Sequence, residues 1–338
     1  MRPAGGCAKI VPKRRPEKRP AALGDAAIES SATRSILRLE ARLADLFGYA
    51  QAVLFGRGRA GLAALMQGIG PGGTLVLPSN ICPVLHVVAH AGGWHTRLCP
   101  IDPRSGLADD RAMADLIAAG GARSIAMPAN LYGFTADYPL SRAAARERGW
   151  LMLENDTMAS RGRPWNGGKR TADGDALLVS FGAGKTIEAG GGGAILTDDD
   201  ALADELRHTT ESFPPLDDLA RAREDWTLAF RLLLKQGFPG GPPMAGLSEH
   251  LLAAESRNLR HSFVEDLGEP LSRALDEAAE IVKSRREKAD LWARALAPLA
   301  GAIKPVELEQ PAPWRLARIR FNPGRILRQR RSSRIRWA

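Results

Sequence analysis

The sequence predicts an α/β fold, in which a mostly parallel central sheet is flanked by helices. Three observations predict it. Between residues 36 and 211, short apolar runs alternate with helical segments of about ten residues. Runs such as "TLVLP" are apolar without a break, as strands covered on both faces are. Glycine and proline clusters such as "GPGG" stop the helices between them.

Residues 1–30 are rich in Pro, Gly, Lys and Arg and read as a basic, flexible arm. "SILRLEARLADLFG" (35–48) places apolar residues at 36, 37, 39, 43, 46 and 47, near helical spacing, and ends in glycine. "AVLF" reads as a strand, "LAALMQGIGPGG" as a helix stopped by glycines and Pro71, and "TLVLP" as a strand. The pattern then repeats through strand "RLCPID", helix "RAMADLIAAGG", strand and loop "SIAMPANLYG", helix "LSRAAARERG" and strand "WLMLEND". Two further strands, "DALLVSF" and "GGAILTDD", precede helix "ALADELRHTTES". Residues 213–248 are rich in Pro and Gly and read as a linker. A long helix over about 267–297 and a basic C-terminal segment follow. No internal repeat is visible.

Length and composition bound the function. A chain of 338 residues, 44% hydrophobic and 25% charged, can build one large domain and a smaller one. The expected division is 31–235 for the large domain and 236–338 for the small one with its Arg-rich tail. The net charge of +9 is unevenly spread. Residues 1–20 hold seven Lys or Arg and one Glu, and residues 315–338 hold nine Arg and no acid, so the body between them is net acidic. Basic ends attract polyanions, but no zinc-finger or RNP-type motif marks a nucleic-acid binder. No uninterrupted run of about 18 apolar residues predicts a membrane span, and the N-terminus has no apolar core of a secretory signal. Cys7, Cys82 and Cys99 form neither a disulfide framework nor a CxxC pair, which predicts a cytoplasmic protein. "HVVAH" places His86 and His90 four apart without the glutamate of HExxH, so no metal site is expected.

In a parallel sheet the ligand lies beyond the carboxyl ends of the strands. The loops there hold "GRGRAG", "PSNICP", "NLYG", "ENDTMASRG" and "SFGAGK". Two motifs among them fail. "GRGRAG" (56–61) fits GxGxxG, but no acidic residue stands about 20 positions on, where a dinucleotide ribose needs one. Its strand-to-helix turn still offers backbone amides to a phosphate. "GAGKT" looks like the end of a P-loop, but Val179 stands where the first glycine belongs, and glycines and a strand follow instead of a helix.

Taken together, the loops resemble the DegT/DnrJ/EryC1/StrS family of pyridoxal-phosphate-dependent sugar aminotransferases, from about Ile36 to His208 and more weakly to Trp314. "GIGPGG" at 68–73, "IDPRSG" at 101–106, "LYG" at 131–133, "GD" at 174–175 with "SF" at 180–181, and Lys185 followed by "GGGGAILTDD" match the family's motifs in order and spacing. The resemblance implies fold type I with a smaller C-terminal α+β domain, pyridoxal 5'-phosphate as cofactor and a homodimer with its sites at the interface. It implies Lys185 as Schiff-base lysine and proton carrier, and Asp156 as partner of the pyridine nitrogen, with Glu154 in reserve if the register slips. Ser180 and the amides of Gly58, Arg59 and Ala60 would bind the phosphate, with the Arg59 guanidinium in support.

Several positions depart from the pattern. Arg59 stands where the family has Thr or Ser, Cys82 replaces the ring-stacking aromatic, and Ala159 replaces a glutamine near the cofactor's phenolic oxygen. Asn130 replaces the histidine of the His-Leu-Tyr-Gly loop. After "PWRLARIRFNP" the chain leaves the family's small domain for "GRILRQRRSSRIRWA", so that domain is expected to be incomplete. The implied reaction carries an amino group from an amino acid, glutamate by family habit, to a keto sugar nucleotide. A dehydrating branch has histidine where Lys185 stands. The alternatives are a pyridoxal-phosphate enzyme of other substrate and a degenerate relative without turnover, acting through its basic ends.

Overall fold

A computed structural model of the chain describes residues 31–132, 134–158, 174–224 and 258–299, with two-residue strands at 303–304 and 320–321. The helix α1 (Ser31–Phe47) leads into β1 (Gln51–Phe55), α2 (Gly58–Ile69), β2 (Thr74–Pro78), α3 (Val84–Ala91) and β3 (His95–Cys99). Next come α4 (Asp110–Ala118), β4 (Ser124–Ala126), α5 (Pro139–Arg148) and β5 (Leu151–Asn155). Strands β6 (Ala176–Ser180) and β7 (Gly193–Thr197) are followed by α6 (Asp200–Glu211) and, after a gap in the described residues, by α7 (Gly268–Leu296).

The seven strands form one sheet in the order β1-β7-β6-β5-β4-β2-β3. Six run parallel, and only β7 is antiparallel, to β1 on one side and β6 on the other. Alternation along the strands makes three layers. Val53, Leu75, Ile125, Leu153, Leu178 and Ile195 face α2, α3 and α6, where they pack with Leu62, Val88 and Leu206. The alternate residues face the other way. Leu54, Leu177, Val179 and Leu196 meet α1 and α7 through Leu43, Phe47 and Leu271. Val76, Ala126 and Met152 meet α4 and α5 through Met113, Ile117 and Trp150.

The structure departs from the sequence reading in three places. The segment carrying His86 and His90 forms α3, whose Leu85, Val88 and Ala89 are buried. The third strand begins at His95 and ends at Cys99, ahead of the 97–102 expected, and Ile101 pairs with Ala108 in a turn instead. Residues 213–224, read as part of a linker, bury Phe213, Leu216 and Ala220 and are helical at 218–224. Their apolar side chains give them a place in the core despite the prolines around them. The arm 1–30, the rest of the linker and nearly all the C-terminal segment lie outside the described residues.

Candidate active site

Parallel strands deliver their loops to one edge, and the predicted residues gather there. The turn after β1 opens α2. Its N-cap residue Arg57 is extended, and no side chain caps the helix. A helix start without a side-chain cap points its first amides and its positive dipole end at whatever lies ahead. The space is kept clear by glycine. A Cβ on Gly193 would come within 2.4 Å of the Cα and N of Gly58, and one on Gly58 within 3.2 Å of the Ser180 Cβ. Strand β7 therefore passes directly under the helix start, with Ser180 beside it. The arrangement fits a phosphate group, with a helix start, a hydroxyl and no intruding side chain; of the three predicted amides, that of Ala60 is already engaged, donating to the Arg57 carbonyl at 3.0 Å within the first turn.

Two guanidiniums flank this turn. The Arg57 Nε donates to Glu224 Oε2 at 2.8 Å and its Nη1 to the Gly190 carbonyl at 2.8 Å. The Arg59 Nε donates to the Asn258 carbonyl at 3.1 Å, and its Nη2 bonds Glu224 Oε1. The fork of Arg59 is thus engaged by Glu224 and Asn258 instead of standing ready for a phosphate. Glu224 carries no motif that sequence reading could have used, and Arg57 stands at a variable position of GRGRAG.

Asp156 follows β5, is fully buried, and donates its backbone N–H to the Leu178 carbonyl at 2.8 Å. Glu154 accepts from the Gly174 N–H at 2.8 Å, inside the sheet and away from the loop. The carboxylate at the strand end is therefore Asp156. Cys82 is exposed just ahead of α3, and its carbonyl accepts from the Leu85 N–H. Ala159 lies outside the described residues.

Lys185 sits in the loop between β6 and β7. Its Nζ donates to Thr157 Oγ1 at 3.2 Å, next to Asp156 in sequence. Burial pushes its ammonium below the ordinary lysine range, and the nearby Cys82 opposes this more weakly. A neutral amine is the form that attacks a carbonyl carbon. The loop is pinned twice more. The Thr186 hydroxyl donates to the Met158 carbonyl at 2.6 Å, and Arg285 of α7 donates through Nη2 to the Lys185 carbonyl at 3.1 Å. Thr157 has the weak signal of following the aspartate. Arg285 has none, being one arginine of a long charged helix 100 positions away.

A half-buried, neutral-leaning lysine, a buried carboxylate and an amide-and-hydroxyl cradle share one edge of this sheet. The model of the DegT/DnrJ/EryC1/StrS aminotransferase family matches residues 25–213, more than half of the chain. The chain belongs to that family. GDP-perosamine synthase of Caulobacter vibrioides is 32% identical over 181 residues, which are 53% of this chain and 48% of that protein. The chain thus spans about half the length of the curated relatives it matches. A DegT/DnrJ/EryC1/StrS aminotransferase of Brucella abortus superposes with a TM-score of 0.62 at 20% identity, covering 87% of this chain and 72% of that one. The Bacillus subtilis protein NtdA, solved with its cofactor PMP, superposes with a TM-score of 0.60 at 16% identity, covering 87% and 60%. The family's fold type I is the fold of this chain.

Proposed function

We propose that the chain is a pyridoxal-phosphate-dependent aminotransferase that moves an amino group from an amino acid, glutamate in the first instance, to a keto sugar nucleotide. The observation that carries the reading is Lys185, held by Thr157 at 3.2 Å and drawn toward its neutral form by burial at the carboxyl edge of the sheet. The relative from Caulobacter is named for a GDP-linked product, and the neighbour from Bacillus subtilis holds PMP, the amino form of the cofactor, in support of this chemistry.

The residues divide the work. Lys185 would hold the cofactor through its Nζ and, once an amino substrate takes that place, would carry a proton to and from the reacting carbon. Thr157 Oγ1 and the Arg285 contact at the Lys185 carbonyl fix its reach. Asp156, buried at the strand end, would face the pyridine nitrogen and keep it protonated. Ser180 and the start of α2 at Gly58 would hold the phosphate. The cofactor, when bound, supplies the electron sink that lets the substrate carbon give up its proton. The large domain, proposed at 31–235, carries these residues, and a homodimer completes the sites. The lysine itself favours transamination over the dehydrating chemistry of the branch that has histidine there.

The test is the donor half-reaction. Glutamate added to the cofactor-loaded protein should convert the cofactor to its amine form, followed by absorbance. Lys185→Ala should slow the conversion by about 10²–10⁴-fold. A loaded protein whose cofactor no amino acid converts would leave the degenerate reading instead.

A further inference from the structure

Asn130 follows β4 at the same edge of the sheet. It is 1% exposed, and among the described residues neither Nδ2 nor Oδ1 of its side chain has a hydrogen-bond partner. A buried amide left unpaired on both atoms is rare and costly, and a purely structural role leaves it unexplained.

Its place in the sheet supplies the explanation. Ala129 pairs with Asn155 in parallel register, and the Asn130 N–H donates to the Asn155 carbonyl at 2.9 Å. Asn130 and Asp156 are therefore neighbours across the two strands, roughly 5 Å apart along the edge, and project to the same side. On the other side of β5, Asn155 pairs with Leu178, so Ser180 ends the next strand, with Gly58 beside it. The strand order β6-β5-β4 sets three features in a row: phosphate cradle, carboxylate, unpaired amide.

Pyridoxal phosphate has the matching order. Its phosphate arm is on C5 and its oxygen on C3, on opposite sides of the axis from the ring nitrogen to the carbon that Lys185 attacks. With the nitrogen at Asp156 and the phosphate at Ser180 and Gly58, the C3 oxygen falls on the β4 side. We infer that Asn130 binds the cofactor's C3 oxygen, with Nδ2 donating to it. The inference rests on the cofactor reading proposed above.

Such a donor has a spectroscopic consequence. It stabilises the negative oxygen and draws it from the nitrogen that shares a proton with it, so the chromophore joining Lys185 to the cofactor gives up that proton more easily. Absorbance of the loaded protein against pH should show the transition shifted up by about one pH unit in Asn130→Leu, tenfold in proton affinity, and further up in Asn130→Asp, whose carboxylate only accepts. Asn130→Leu should weaken pyridoxal phosphate by about tenfold, as loss of a hydrogen bond to a charged group does. It should leave the affinity for 3-deoxypyridoxal phosphate, which lacks the oxygen, unchanged. If Asn130→Leu fails to fold, the near-isosteric Asn130→Asp carries the titration alone. A transition that stays in place, or equal losses for both cofactors, overturns the role of Asn130 while leaving the cofactor. A wild-type protein that forms no chromophore overturns the cofactor reading, and this one with it.

Discussion

Lys185 is expensive to the free chain. Its folded ammonium is disfavoured by burial, whereas the unfolded lysine ionises normally. The unfolded state therefore binds the proton more tightly, and stability falls wherever that proton is held. Below the lowered folded pKa the penalty is full. It fades as pH rises from that value toward the ordinary 10.5, because the folded amine sheds its proton first. Lys185→Met, which keeps the apolar stem, should raise the unfolding midpoint of the cofactor-free protein at neutral pH. The gain is roughly 2–4 °C if the relief is about 1 kcal/mol, and it should shrink toward pH 10. A variant less stable than wild type at neutral pH would show that the amine is held by compensating contacts instead. At this scale the sequence was legible where residues sit in a motif, as Lys185, Asp156 and Ser180 do. It was silent on Thr157, Arg57, Glu224 and Arg285, whose roles come from side chains meeting across long separations.

Elements show why some of those motifs exist. In the "GD" pair at 174–175, a Cβ on Gly174 would come within 2.8 Å of the Met152 carbonyl, and the Asp175 carboxylate accepts from the Met152 N–H at 2.8 Å. Burial raises the Asp175 pKa, and the Met152 bond works against it. The pair thus locks β6 onto β5, setting where the Lys185 loop begins. The glycine at the start of β7 does comparable work on the other side. Gly193→Ala would drive a methyl into the backbone of Gly58, which cannot yield as a side chain can. It should cost about 1–3 kcal/mol of stability, measured by denaturant unfolding, and should weaken the cofactor more than Gly121→Ala, where a Cβ meets nothing within 4 Å. Equal effects would mean that the contact of β7 with α2 does not shape the cradle. Periodicity made the alternation of strands and helices readable. It missed α3, because Val84–Ala91 is apolar nearly all round and short, which looks the same as a buried strand. It also could not give the direction of β7, which depends on a connection carrying Lys185 rather than a crossover helix.

At the scale of the molecule, the layers serve the edge. Two apolar faces hold the sheet rigid, and every proposed catalytic side chain stands where strands end. Helix α7 lies beyond the region matched by the family model, yet it packs on α1 and reaches Lys185 through Arg285. A helix 100 positions away in sequence thus contacts the Lys185 loop, which no reading of local sequence would place there. The acidic body between basic ends was readable from charge alone. The central claim is that Lys185 joins covalently to pyridoxal phosphate at this edge. The direct measurement is absorbance of the purified chain after adding pyridoxal phosphate, then borohydride reduction and peptide mapping, for wild type and Lys185→Ala. The account predicts a yellow adduct that reduction fixes on the peptide carrying Lys185 and that the variant does not form. No adduct, or one that forms equally in the variant, would contradict it.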